Sequence, residues 1–186
     1  FAQTSTSRES YLERYQLLVS KLGVDGVGVE TLLNRWAADY PEDTDMLIGK
    51  FTYYLSKSRS VDIQVLPVSK YLGEFPTISL KDSTGNDVNY FQVPLYDDEL
   101  FGKSTQAVDK AIELNPDRLD FRLYRISALL AYEKESPDMA LSSLMALIDY
   151  QVSSHPVWVY PGIEMDDDAF ADLIQEYCHS FYLLGT

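Results

Sequence analysis

Three separated segments of this chain repeat one spacing of side chains. Val29, Leu33 and Trp36 stand at i, i+4 and i+7, as do Ser104, Val108 and Ala111, and again Ala140, Leu144 and Leu147. Seven residues make about two turns of α-helix, so each set shares one helical face. Pro41 and Pro116 follow the first two sets, where a proline stops a helix. The third set lacks the proline. A face that recurs in this way cannot be covered by its own helix and must be buried against a neighbour, which constrains the chain to a stack of paired helices.

Between these anchors the apolar periodicity marks further helices. Tyr11, Tyr15, Leu18 and Leu22 recur at threes and fours and predict a helix over 9–22, ended at Gly23. The run from Val29 to Trp36 predicts a second helix, joined to the first by a turn through Gly23, Gly26 and Gly28. A third is expected from the acids after Pro41, through Met46, Leu47, Phe51 and Leu55, to Ser58. Helices are also expected from Asp97 to Leu114, from Leu119 to Tyr132, from Met139 to Tyr150, and over 166–184.

The segment 59–97 differs. Val61, Ile63 and Val65 alternate with polar residues, and Thr77–Leu80 and Val88–Val93 flank a turn of Asp, Ser, Thr, Gly and Asn. This reads as a β-hairpin bracketed by Pro67, Pro76 and Pro94. Ser104 and Ala140 are about one 34-residue helical-repeat period apart, whereas Val29 and Ser104 exceed one such period by roughly 41 residues. That excess matches the length of 59–97, so the second helix pair is expected to be split by an insertion.

The wording of Lys110–Pro116, together with the three spaced triplets, resembles the tetratricopeptide repeat family. The resemblance covers most of the chain outside 59–97 and is carried by the second helix of each pair. The first helices match only in part, at Leu47 and Tyr54 and at Tyr124, Ala128 and Ala131. It implies a mainly α fold, a tetratricopeptide-like superhelix of antiparallel helix pairs forming a single repeat domain over 9–186. It also implies binding of a protein or peptide rather than catalysis. A generic helical bundle is the competing reading.

Charge narrows the partners. With 29 acidic against 15 basic side chains in 186 residues, net charge −14, the surface repels phosphate backbones, so no nucleic acid is expected. No apolar run reaches the length of a transmembrane segment. Residues 1–8 begin Phe1–Ala2–Gln3 and read as a flexible segment left by signal-peptide removal, which implies an exported, periplasmic or secreted chain. A trimmed boundary fits them as well, which leaves a cytoplasmic place open.

The catalytic inventory is thin: one cysteine and two histidines. Cys178 and His179 are adjacent on a helix and point about 100° apart, too far for an activated thiol pair, and Cys178 is expected in the core. His155 stands alone in a loop. Asp166, Asp167 and Asp168 fit a helix start better than a cation site. Asp82 to Asp87 lack the spacing of a calcium loop, and Gly23, Gly26 and Gly28 follow no strand and so make no phosphate loop. No catalytic residue, metal site or cofactor is expected.

Binding candidates remain. Arg118, Arg122 and Arg125, at i, i+4 and i+7, form a basic stripe on an acidic chain, with surface ion pairs to Asp117, Asp120 or residues 97–99 as the alternative. The resemblance implies that Arg122 and Arg125 face a ligand groove, although the asparagines that accompany a carboxylate clamp are missing. Most aromatic rings are expected in the core; Tyr90, Phe91 and Tyr96 in the insertion and Trp158 and Tyr160 in the following loop either cover helix ends or form an exposed patch that recognises a partner. The last helix carries apolar residues on more faces than one interface needs, so further repeats or a homodimer contact are expected there. The leading reading is a non-catalytic protein or peptide interaction module. A binder of small molecules or anions in a pocket between insertion and helices, and a structural scaffold segment, are the alternatives.

Overall fold

The structure, a computed structural model, describes residues 6–133 and 135–184. The start of the proposed signal-peptide remnant, residues 1–5, lies outside the described residues. Among the described residues the chain is mainly helical, with α1 (Arg8–Leu22), α2 (Val29–Asp39) and α3 (Thr44–Ser58) preceding strands β1 (Arg59–Leu66), β2 (Ile78–Lys81) and β3 (Asp87–Tyr96). Then follow α4 (Asp98–Leu114), α5 (Leu119–Tyr132), α6 (Asp138–Ser154) and α7 (Asp167–Leu184). No described helix is long and apolar enough to cross a membrane.

Local chemistry sets the helix ends. Ser7 caps α1 by accepting from Ser10 N at 3.2 Å, and Asp97 caps α4 by accepting from Leu100 N at 2.9 Å. Asp43 Oδ1 caps α3 through Asp45 N and Met46 N. Its other oxygen receives the Arg8 guanidinium at 2.7 Å and the Trp36 indole N–H at 3.3 Å, which ties α1, α2 and α3 together. Gly23 stops α1 at φ +84°, a left-handed region that glycine enters without steric cost.

Within residues 9–186, contacts gather into two compact units. The first comprises the chain through Arg59 together with Tyr96–Arg125, and the second comprises Ser60–Leu95 together with the chain from Ile126 onward. In the first unit α1 packs on α2, α2 on α3 and α3 on α4. The core there is Tyr11, Val29, Leu33, Trp36, Met46, Leu47, Tyr53, Ala111 and Phe121. Tyr11 stacks on Trp36 with ring centroids 5.9 Å apart. Each of the three spaced triplets is buried, all nine side chains being 0–3% exposed.

The split of α3 from α4 is closed by hydrogen bonds at both ends. Asp97 N–H donates to Ser58 O at 2.8 Å, and the Asn115 side-chain amide donates to the Thr44 hydroxyl at 2.9 Å. The end of α3 therefore meets the start of α4 and the reverse, so the two run antiparallel as one helix pair although residues 59–97 separate them in sequence.

The insertion holds more than the expected hairpin. β2 and β3 pair antiparallel, Ile78 with Tyr90 and Leu80 with Val88, and β1 joins on the other side of β3 to give the order β1-β3-β2. Asp82 closes the β2–β3 turn, its Oδ1 accepting from Thr84 N and Asn86 N, with Gly85 at φ +88°. The alternation of Val61, Ile63 and Val65 marked the third strand; its partner was decided by tertiary pairing.

Candidate functional site

The three arginines do not form an open cationic stripe. Arg118 precedes α5 and makes a two-pronged pair with Asp120, at 2.9 and 2.7 Å, while its guanidinium lies 4.0 Å from the centre of the Phe121 ring. Asp120 is buried, so the pair is structural, and its hydrogen bond raises the Arg118 pKa further above the ordinary range. Arg122 donates to Pro116 O at 3.0 and 3.2 Å and so fastens the α4–α5 turn. Arg125 pairs with Asp109 at 2.6 Å. Each guanidinium is engaged by its own neighbourhood, because the acidic composition places a carboxylate or carbonyl within reach of each.

The aromatic candidates separate. Phe91 is 2% exposed on the inner face of the sheet and meets Tyr71 edge-on at 5.9 Å. Trp158 is likewise buried: it stacks on Phe170 at 6.3 Å, and its indole N–H donates to Gln151 Oε1 at 2.7 Å. Its polar atom is satisfied and its ring covered, so this loop tryptophan packs over a helix, the alternative to an exposed patch. Tyr96 is half-buried against Phe101, and burial raises its hydroxyl pKa. Tyr160 is half-buried in a tight turn with Ile163. Tyr90 is half-buried on the outer face of the sheet, opposite Ile78. Cys178, expected in the core, is exposed.

An exposed apolar surface does exist, and aliphatic residues carry it. On β3, Asn89, Phe91 and Val93 are buried, so Val88 and Tyr90 share the opposite face with their β2 partners Leu80 and Ile78. On β1 the half-buried Gln64 and Leu66 mark the inner side, which leaves Val61, Ile63 and Val65 outward. The five aliphatic residues of the two flanking strands are 53–63% exposed. They form one continuous patch on a sheet whose β1 and β2 are both edge strands. The period-two alternation in 61–65 was legible in the sequence. Which face it presents was not.

A second feature lies where the insertion meets helices of the same unit. Leu72 and Gly73 form a two-residue turn at φ +49° and +81°, closed by reciprocal hydrogen bonds between Tyr71 and Glu74 at 2.9 and 3.0 Å. Tyr71 also donates to Glu135 at 3.0 Å. A left-handed leucine is strained by roughly 1–2 kcal/mol, and this one lines a cleft of about 530 Å³ with Glu74, Leu130, Glu176, Tyr177 and Leu183. Ser127 on the same wall donates to the Tyr177 hydroxyl at 3.2 Å, and burial pushes the Tyr177 hydroxyl pKa up, which keeps it neutral. The arginines expected to line a pocket against the insertion do not line this cleft, whose charged residues are Glu74 and Glu176. Among the described residues no three His, Cys, Asp or Glu side chains are placed to hold a metal ion. Asp166 accepts from Ala169 N at 2.8 Å, a helix-capping geometry.

A scan against protein-family models, a search of curated proteins and a search of solved structures find no match for this chain.

Proposed function

We propose that this chain is a non-catalytic interaction module built as a tetratricopeptide-like helical repeat, and that it captures a protein partner on the outer face of its inserted sheet. The repeat reading is supported by the burial of all three spaced triplets and by the α3–α4 pair that re-forms across the insertion. The observation that carries the binding reading is the continuous aliphatic face of Val61, Ile63, Val65, Ile78 and Leu80. Covering the exposed half of each is worth on the order of 1 kcal/mol, roughly 5 kcal/mol together, enough to offset much of the cost of association. The open edge of β1 offers backbone groups to an extended segment beside that face.

The test is a displayed-peptide selection against the intact chain, with counter-selection against the Ile63→Lys, Leu80→Lys double variant. Both positions are exposed, so the variant keeps its circular dichroism. Enriched sequences with apolar residues at alternate positions, lost on the variant, are the expected result. Equal retention by both proteins refutes the reading.

The cleft beside Leu72 favours a second reading, a site for a small cationic ligand with an apolar body. Glu74 and Glu176 supply charge and Leu72, Leu130 and Leu183 the apolar wall. Phenethylamine is expected to raise the thermal midpoint where phenylpropionate does not, and Glu176→Gln is expected to abolish the difference. Equal shifts by both compounds refute it.

A further inference from the structure

We infer that the groove between α6 and α7 is a docking site for an amphipathic helix of a partner protein. That helix carries a small–bulky–small stripe at i, i+4 and i+7, flanked by lysine or arginine. Leu141, Met145, Ile148 and Val152 follow one another on α6 at helical spacing, and all except the half-buried Ile148 are exposed. Ile148 and Val152 join Phe170, Ala171, Ile174 and Cys178 of α7 around a groove of about 520 Å³. An apolar trough between two packed helices has the shape of a third helix.

The chain supplies its own example of what fills such a trough. The helices that carry the spaced triplets are α2, α4 and α6. In the first unit α4 packs on α3, which packs on α2, and Ala111 of α4 sits in one core with Val29, Leu33, Trp36, Met46 and Leu47. α4 carries the stripe Ser104, Val108 and Ala111, each 0% exposed, in which a bulky residue stands between small ones that let a neighbouring backbone approach. α6 and the helix after it, α7, present the corresponding trough in the second unit. The same packing logic asks for the same stripe.

Charge selects the occupant. From residue 135 to 184 the chain has no lysine or arginine and nine Asp or Glu. Asp167 lines the groove, and Asp149 on α6 and Asp168 and Asp172 on α7 are exposed on the two helices that form it. A second copy of this face would bring like charges together, so a homodimer through α7 is disfavoured, whereas basic flanks on an incoming helix meet complementary charge. This surface is separate from the sheet face, and its test is independent of that one.

Cys178 is the sole cysteine of the chain, exposed, and on the wall of the groove, which makes its thiol a reporter of occupancy. The reaction of the full chain with an aromatic disulfide reagent is timed with two synthetic helices that share the small–bulky–small stripe. One has lysine flanks and the other glutamate flanks. The lysine-flanked helix is expected to slow Cys178 about tenfold at a concentration about ten times its dissociation constant, and the glutamate-flanked helix to leave the rate unchanged. Val152→Lys, at a residue 68% exposed and so harmless to the core, is expected to remove the protection. Any of three results overturns the inference. They are no protection by the lysine-flanked helix, equal protection by both, or a thiol already shielded in a chain that light scattering finds dimeric.

Discussion

Two glycines inside helices, Gly49 in α3 and Gly102 in α4, make opposite predictions for one substitution. Replacing a helix-interior glycine by alanine stabilises by about 1 kcal/mol where the new methyl meets nothing, because alanine loses less backbone entropy. Gly102 has no atom within 4 Å of the place its Cβ would take, so Gly102→Ala is expected to gain about that amount. At Gly49 the same methyl would lie 2.8 Å from Leu33 Cδ2, with the Tyr15 ring at 3.2 Å. Leu33 is 0% exposed and has no free volume to retreat into. Overpacking of this kind costs about 1–3 kcal/mol, so Gly49→Ala is expected to lose about 1 kcal/mol net of the helix gain. For a chain of this size each kcal/mol moves the thermal midpoint by roughly 2–4 °C. The two variants should therefore differ by several degrees in opposite directions. Thermal unfolding followed by far-ultraviolet circular dichroism measures this, with Trp36 and Trp158 as buried fluorophores, one in each unit. If Gly49→Ala stabilises as much as Gly102→Ala does, α1, α2 and α3 do not pack as closely as described.

Asp97→Ala removes the side-chain cap of α4 at the point where the chain leaves the insertion. It should cost about 1 kcal/mol in a urea titration, while Asp97→Asn or Asp97→Ser keeps most of the cap. Tyr54 is pushed up to about 12, by burial first and then by its hydrogen bond to Glu30 at 3.0 Å. Because its folded pKa lies above the unfolded one, its contribution to stability is complete below about pH 10 and is lost as pH rises through the folded value. A spectrophotometric titration should find a tyrosine near 12 that moves toward its ordinary value in Glu30→Gln. An unmoved titration would show that the carboxylate does not contribute.

The spaced triplets located α2, α4 and α6 and named their buried faces, because helical periodicity is a local property that can be read along one short stretch of chain. The excess length between Val29 and Ser104 located the insertion, and Gly, Asn and Asp marked its turn. The sites were harder. Arg118, Arg122 and Arg125 share a helical spacing, yet each finds a different neighbour, Asp120, Pro116 O and Asp109, and which of these is in reach depends on how α4 lies against α5. Cys178, expected in the core, stands at the surface for the same reason: hydropathy reports what a side chain prefers, while burial depends on what stands next to it.

The sequence alone determined the mainly helical composition, the approximate positions of the helices, the position of the insertion and the acidic, cation-poor character of residues 135–184. Each follows from the order of side chains along a short stretch of backbone. Only the tertiary structure decided which surfaces are left uncovered. The outer sheet face, the cleft beside Leu72 and the α6–α7 groove each bring together residues far apart in sequence, and an exposed face is defined by the packing that fails to reach it.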